Sequence, residues 1–337
     1  MVIGFLIQEE LRNKIFLLTL AISVIVFLSY AVISANSYRE LIEESNKASE
    51  ESVLDWKTVE EHNLGLLAEK KDLLEKERDR IKLQNNMEVI RYRLDNNIEP
   101  KTDFNTVKGF IEYNYSNNMN ILYMATIIIL FVSASVSFDR TSFYYMEAFG
   151  YKKIFFSKIL SGIIFAIVIW ILNFIIMYIV GLKNFGPFSG NAINFVDGAI
   201  VLSGWKSSLF KMFLLSLTYP VFSSLIPMTV TSVVRNRMAS LMISILIYFG
   251  VVILKLGVIF PIKIAEYSFI GNMYMMKPVN GVPDLYMNGM AKASFINIFW
   301  IALFIAIAFF SYRRFVHKNY KGKLKQDEGE EIAVNFS

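Results

Sequence analysis

The sequence predicts an all-α polytopic membrane protein with six transmembrane helices, an N-terminal interfacial helix and a helical extracellular insert between helices 1 and 2. Three observations support this prediction. Of the 337 residues, 55% are hydrophobic, which exceeds the usual content of a soluble domain. Several apolar runs approach the roughly 20 residues that cross a bilayer core. Residues 39–118 are acidic, with 13 Lys and Arg against 18 Asp and Glu, whereas the rest of the chain is basic.

Residues 1–38 are predicted to hold an amphipathic helix followed by the first span. Apolar side chains at Ile3, Leu6, Ile7 and Leu11 recur at helical spacing, and the nearby charges fall largely elsewhere. Such a pattern is typical of a helix that lies in the interface plane of a membrane. A frayed terminus with chance periodicity is the alternative.

Hydropathy predicts where the spans lie, and the Lys and Arg that flank them predict their orientation. They cover about 15–37, 120–138, 160–182, 209–233, 238–260 and 293–312, and the fourth and fifth are joined by the tight turn "VRNRM". With the N-terminus inside, inner segments hold 14 Lys and Arg and the short outer loops and span edges hold seven. We therefore expect a multi-pass protein of the cell membrane with both termini cytoplasmic.

The insert, residues 39–118, is predicted to be an extracellular helical domain. It is rich in Glu, Lys, Leu and Arg, which favour helix. "HNLG" and "NNIEP" are the expected breaks, giving a helical hairpin and then a return helix around 103–118. Two roles stay open for this domain: a solvated spacer, or a domain that shields or selects an exported substrate.

Residues 119–315 are expected to form the bundle of spans 2 to 6, and residues 316–337 a polar cytoplasmic tail. Within the bundle, residues 261–290 mix Pro and Gly with many aromatics and Met. This composition is too apolar for a free loop and too broken for a span. It predicts a re-entrant or interfacial segment on the outer face, where irregular backbone must be buried in protein or face water.

The bridge between spans 2 and 3, residues 140–158, carries more chemistry than a membrane anchor needs. The sequence "RTSFYYMEAFGYKKIFFSKIL", residues 140–160, places many aromatics and Glu147 among the lysines that precede the third span. Large rigid aromatics are typical anchors of protein interfaces. Plain topology is the alternative, because lysines follow the positive-inside rule and aromatics favour the membrane interface.

The sequence excludes several kinds of chemistry. Cysteine is absent and only two His are present, so thiolate sites and His-based centres are not expected. No phosphate-binding loop, metalloprotease motif or serine-hydrolase motif occurs. The spans hold few ionisable residues, unlike those of proton-coupled transporters. We expect a non-enzymatic chain without its own cofactor, with membrane lipids and no nucleic acid as partners, whose energy source lies elsewhere.

Polar residues within the spans are the only candidates for a substrate path. They are Asn173 in the third span and Ser223, Ser224 and Thr229 in the fourth, where Pro220 and Pro227 predict kinks. Small hydroxyls also hold helices together in lipid, so helix packing is the alternative role.

The span pattern, the bridge, the tight inner turn and the broken outer segment together resemble the permease subunit of ABC-2 type exporters. In that family the bridge often carries an acidic residue, then a small residue, a basic pair and a terminal Lys. Here "MEAFGYKKIFFSKIL" supplies these positions. The resemblance implies a coupling segment that docks on a separate ATPase, with these contacts: Tyr145, Glu147, Phe149, Gly150, Tyr151, Lys152, Lys153, Phe155 and Lys158, with Glu9, Glu10 and Arg12 as secondary contacts.

The resemblance further implies two copies of the ATPase, which would bind ATP and Mg, and a second permease copy or a paralogue. The expected function is export of, or immunity against, an amphipathic substrate such as an antimicrobial or toxic peptide or a lipid. Two alternatives stay open: a non-transporting cell-surface or secretion-accessory protein, and a signalling module resembling FtsX. Both would act through the extracellular helical domain.

Overall fold

A computed structural model of the chain describes residues 14–50, 55–73, 77–99, 105–116, 125–130, 132, 149–188, 191–196, 199–256, 267, 269 and 290–319. The helices and strands with defined bounds are α1 (Lys14–Glu50), α2 (Trp56–Leu73), α3 (Glu77–Asp95), α4 (Val107–Ser116), α5 (Tyr151–Phe185), β1 (Asn191–Val196), β2 (Ala199–Gly204), α6 (Trp205–Ser216), α7 (Thr218–Val234), α8 (Arg237–Leu256) and α9 (Met290–Asn319).

Three helices in the described part of the chain are long and apolar enough to cross a membrane. They span Leu20–Glu44, Tyr151–Phe185 and Ser294–His317. Helix α7 and the first half of α8 are also apolar but shorter. Large apolar side chains on these helices are exposed, as lipid-facing residues are. The chain is thus a helical, membrane-embedded protein, and the prediction of six spans goes beyond this finding.

Several sequence predictions fall outside the described residues. They are the N-terminal amphipathic helix within 1–13, most of the second span at 120–138, nearly all of the outer segment 261–290 and the tail from 320 onward.

Helix α5 lies at the centre of the bundle and packs against α1, α4, α7 and α9. It begins at Tyr151, well before the predicted start of the third span near residue 160. The last third of the predicted bridge is therefore the first two turns of this long helix. No Pro or internal Gly interrupts the helix between Tyr151 and Ser161, so the helical pattern simply continues.

The predicted fourth span is two helices, α6 and α7, separated at Leu217. Pro220 explains the separation, because proline has no N–H to donate to the carbonyl of Ser216. The amide of Leu217 instead donates to the carbonyl of Leu214 at 3.2 Å, a tighter turn than the α-helical one.

The tight turn predicted after the fourth span is confirmed. Helix α7 ends at Val234 and α8 begins at Arg237. Arg235 closes α7 in a left-handed conformation with φ 60°, and its amide donates to the carbonyl of Thr231 at 2.9 Å. Asn236 then caps α8, since its Oδ1 accepts from the amide of Ala239 at 3.1 Å.

Two ends of the bundle can be defined from contacts. At the Tyr151 end, the ring of Tyr151 packs against Phe309 and His317 of α9, and Arg235 lies over Phe315 of α9. At the Phe185 end, Phe185 of α5 contacts Tyr38 of α1 and Phe110 of α4. Helices α2 and α3 pack against each other as a hairpin, and α3 also contacts the β1–β2 pair.

The β1–β2 hairpin departs from the all-α prediction. Asn191 to Val196 pair antiparallel with Ala199 to Gly204, and Val196 faces Ala199, so the connection is two residues long. Those two residues are Asp197 and Gly198, a pair typical of such hairpin turns. The sequence predicts no strand here, because six apolar and amide residues are too few to show a clear period.

Candidate functional site

The predicted coupling segment is described from Phe149 onward. Tyr145 and Glu147, like the secondary contacts Glu9, Glu10 and Arg12, lie outside the described residues. Gly150 precedes α5 with φ 76° and ψ 148°, a conformation that side-chain-bearing residues rarely adopt. A Cβ at this position would meet no atom within 4 Å, so the requirement for glycine there is conformational rather than steric.

The first turns of α5 divide sharply into an exposed and a buried face. Lys152 and Lys153 are exposed, and Phe156 is 53% exposed. Phe155 and Lys158 are buried, at 0% and 8% exposure. Helical spacing explains the division, because Phe155 points into the bundle one turn after Tyr151.

The burial of Phe155 and Lys158 contradicts their predicted place on the docking surface. The ring of Phe155 packs edge-on against Phe309 at 5.2 Å and against Tyr312 at 5.7 Å between centroids. A side chain with no exposed area in this arrangement has no surface left for a partner protein. The sequence reading placed both residues in a solvent-facing bridge because it started the helix too late.

Tyr151 is half-buried and links α5 to α9. Its ring stacks on Phe309 at 6.4 Å and meets His317 edge-on at 6.3 Å. The guanidinium of Arg313 in turn donates from Nε to Nε2 of His317 at 3.3 Å. This Tyr151 end thus joins the start of α5 to the last turns of α9, and the exposed lysines of α5 stand beside this contact.

The described residues at the Tyr151 end are basic. Lys152, Lys153, Arg235, Arg313 and Arg314 are all exposed there. Partial burial lowers the pKa of the Arg235 guanidinium, and the positive charge of Arg314 lowers that pKa further. The described residues between 149 and 319 contain no Asp or Glu at all. Any counter-charge at this end must therefore come from another part of the chain or from another molecule.

Asn173, predicted for a substrate path, lies at the centre of a buried polar contact. Its Oδ1 accepts a hydrogen bond from the hydroxyl of Tyr115 in α4 at 3.1 Å. Its Nδ2 has no hydrogen-bond partner within the described part of the chain, although the residue is 0% exposed. One turn earlier, Trp170 donates from Nε1 to Ser216 of α6 at 2.8 Å.

The three α7 hydroxyls predicted for a substrate path, on Ser223, Ser224 and Thr229, all have hydrogen-bond partners. Ser223 shares a 2.7 Å hydrogen bond with Tyr248 of α8, and Thr229 donates to the carbonyl of Phe304 in α9 at 3.3 Å. Ser224 donates to the carbonyl of Val221 in its own helix at 2.8 Å. The bonds of Ser223 and Thr229 tie α7 to α8 and α9, which is the packing role left open above. A role for them in a substrate path stays a prediction.

Sequence reasoning missed Tyr115, Ser216 and the Arg235–Arg314 pair. Tyr115 lies within the predicted extracellular insert. The stretch "EYNYS" has no apolar period that would predict its packing against another helix. In the structure α4 runs antiparallel to α5, from Val107 beside Gly186 to Tyr115 beside Asn173. The sequence predicts only the turn that holds Arg235, because proximity between residues of two different helices leaves no signal in a single sequence.

Among the described residues, no group of three or more His, Cys, Asp or Glu could hold a metal ion. Comparisons of the chain with protein-family models, with curated proteins and with solved structures found no match.

Proposed function

We propose that this chain is the transmembrane permease subunit of an ATP-binding-cassette exporter. The proposal rests on the resemblance in the sequence and on one structural observation. Helix α5 carries exposed Lys152 and Lys153 at one end and packs against four other helices along its length. A force applied at the Tyr151 end would therefore move most of the bundle.

The rigidity of α5 supports its use as a lever. It runs unbroken for 35 residues, so it is about 50 Å long. Its contacts with α9 near Tyr151 are aromatic, which makes them stiff and well defined. In this proposal the Tyr151 end is cytoplasmic, in agreement with the positive-inside rule, and both termini lie on that side.

The far end of α5 is fastened to the start of α4. The amide of Val107 donates to the carbonyl of Gly186 at 3.0 Å, and Arg39 of α1 donates to Asn184 at 2.9 Å. Movement of α5 would thus reach α1 and α4, the helices at the two ends of the insert. This path favours a function in which ATP hydrolysis on one side alters the outer end of the bundle.

The partners in this proposal are two copies of a separate ATPase, which binds ATP and Mg, and a second permease copy or a paralogue. The docking contacts that remain exposed are Lys152 and Lys153, with half-buried Phe149 and Tyr151 beside them. The substrate class is amphipathic, such as an antimicrobial or toxic peptide or a lipid. The family resemblance in the sequence is what supports that class.

Capture of the ATPase tests the proposal. The full chain would be purified in mild detergent from its native membrane, and mass spectrometry would identify a co-purifying P-loop ATPase. We expect Lys152→Glu combined with Lys153→Glu to reduce recovery of the ATPase by about tenfold or more, because charge reversal at an interface creates repulsion. Lys183→Glu is the matched control, since Lys183 is an exposed lysine at the other end of the same helix.

Each outcome decides between functions. Loss of the ATPase with the Lys152 and Lys153 variant alone supports the coupling surface. Equal recovery from wild type and variant would reject this surface as the docking site. Complete absence of an ATPase from the wild type would reject the exporter and favour a surface or signalling protein that acts through its outer helices.

A further inference from the structure

Two exposed arginines from different parts of the chain, Arg235 and Arg314, lie at the Tyr151 end, and Arg235 packs on Phe315, the residue next to Arg314. Arg235 lies in the turn between α7 and α8, and its Cζ sits 3.9 Å from the ring centroid of Phe315 in α9. The next residue toward the N-terminus of α9 is Arg314, and its positive charge contributes to the lowered pKa of Arg235. Both side chains are exposed at the surface of the bundle.

This pair of cations requires an explanation. Like charges held close together repel, and this repulsion is not offset by a carboxylate within the described residues from 149 to 319, which contain no Asp or Glu. Arg235 also adopts a left-handed backbone with φ 60°, which is uncommon for a residue other than glycine. An anion placed between the two guanidiniums would relieve the repulsion, because arginine forks match phosphate oxygens in charge and geometry.

The surroundings of the pair are apolar and exposed. Along α9, Ile307 and Phe310 precede Arg314 at spacings of seven and four residues, so all three lie on one face of the helix. Ile307 is 42% exposed and Phe310 is 63% exposed. Next to Arg235, Val233 and Met238 are 54% and 71% exposed.

This arrangement provides the two features that a phospholipid-binding site needs. The headgroup needs cations near the membrane surface, and the acyl chains need an apolar surface that continues toward the membrane centre. A free phosphate ion would use only the cations. The exposed face of α9 provides the apolar part directly beside Arg314.

We propose that Arg235 and Arg314 form a binding site for the phosphate of an anionic phospholipid whose acyl chains lie along the exposed face of α9. The lipid would join the α7–α8 turn to the last turns of α9. This inference does not depend on the exporter function, because it concerns a different pair of cations from the proposed docking surface.

The test is lipid-dependent thermal unfolding of the full-length protein in detergent. Phosphatidylglycerol is titrated into the wild type, into Arg235→Gln with Arg314→Gln, and into Lys152→Gln with Lys153→Gln as the matched control. The control removes the same number of charges from the same end. Phosphatidylcholine with identical acyl chains, and inorganic phosphate alone, are the comparison ligands.

We expect phosphatidylglycerol to raise the unfolding temperature of the wild type and of the lysine control more than phosphatidylcholine does. Loss of both arginines should weaken the apparent affinity about thirtyfold, since each basic side chain contributes about 1 kcal/mol near an anionic surface. Arg235→Lys with Arg314→Lys keeps both charges and should retain part of the affinity, which separates loss of binding from loss of folding.

Four results would overturn the proposal. Equal shifts with phosphatidylcholine would mean that the headgroup is not recognised. Equal shifts with inorganic phosphate would indicate a free-phosphate site. An equal loss in the lysine control would indicate general surface charge. A change of oligomeric state that accompanies the arginine variant, measured by light scattering, would assign this face to a second copy of the chain.

Discussion

The hydroxyl of Tyr115 donates to Oδ1 of Asn173 at 3.1 Å, and both residues are buried in the interior of the bundle. The bond joins α4, the last described helix of the predicted insert, to α5, which begins at the opposite end of the protein. Trp170 flanks it, with its ring 5.9 Å from that of Tyr115. A polar contact thus fixes the position of α4 along α5 in a region where most neighbours are apolar.

We expect Tyr115→Phe to lower the free energy of unfolding by about 1 kcal/mol, in the range measured for hydrogen bonds between membrane helices. The change removes one oxygen and leaves Oδ1 of Asn173 without its donor. Unfolding in mixed detergent micelles is the measurement. Asn173→Leu alone should have a similar effect, and the double variant should cost less than the sum, because the two residues act on one bond.

Tyr178→Phe is the control for that prediction. Tyr178 is half-buried on the same helix, and its ring stacks on Trp205 at 6.4 Å, a contact that phenylalanine preserves. Strict additivity of Tyr115→Phe and Asn173→Leu would contradict the coupling inferred from the distance.

Gly181 allows α4 to approach α5 closely. A Cβ built on it would lie 2.8 Å from Cδ1 of Phe110 and 3.0 Å from Cγ2 of Val107. We therefore expect Gly181→Ala to destabilise the protein by about 1–3 kcal/mol, the usual range for overpacking. Thermal unfolding in detergent measures this, and Phe110→Leu in the same chain should restore part of the loss by removing the nearer obstacle.

Gly65→Ala is the matched control. Gly65 lies inside α2, and a Cβ there would meet no atom within 4 Å. Alanine favours helix over glycine by about 1 kcal/mol, so this variant should be as stable as the wild type or more stable. Equal destabilisation by the two substitutions would show that the distance from Gly181 to α4 does not decide its effect.

The sequence predicted the helices best where a single strong pattern decides the structure. Apolar length alone indicates α5 and α9, and the tight turn after α7 follows from the charged "RNR" between two apolar runs. Pro220 was predicted to kink its span, and the separation of α6 from α7 at Leu217 follows from its missing N–H.

The start of α5 could not be predicted well, because the boundary depends on tertiary contacts. Residues 151–158 are as polar as a loop in composition, with three lysines among eight residues. The helix continues through them because Ile154 and Phe155 are buried, with Phe155 packed against Phe309 of α9. The same limit applies to Tyr115, whose place beside Asn173 depends on how α4 is docked rather than on its own neighbours in sequence.

Gly150→Ala should destabilise the junction before α5 without creating a steric clash. Its φ of 76° and ψ of 148° lie in a region that side-chain-bearing residues reach at a cost of about 1–3 kcal/mol. The expected result is a lower unfolding temperature and faster amide hydrogen exchange in the first turn of α5. Normal exchange at Tyr151 to Ile154 in a folded Gly150→Ala protein would argue against this conformational requirement.

Phe155 and its neighbour Phe156 give the sharpest test of the corrected docking surface. Phe155 is fully buried and contacts Phe309 and Tyr312, so Phe155→Ala should reduce stability by about 3 kcal/mol or more through the cavity it leaves. Phe156 is 53% exposed and its ring stacks on Phe309. Phe156→Ala should therefore reduce stability by less than about half as much as Phe155→Ala. Unfolding in detergent measures both.

If Phe155 were a docking contact instead, its loss would leave the stability of the isolated chain unchanged and weaken only the association with a partner. A stable Phe155→Ala protein would therefore restore the original prediction, and an unstable one assigns this residue to the joint between α5 and α9.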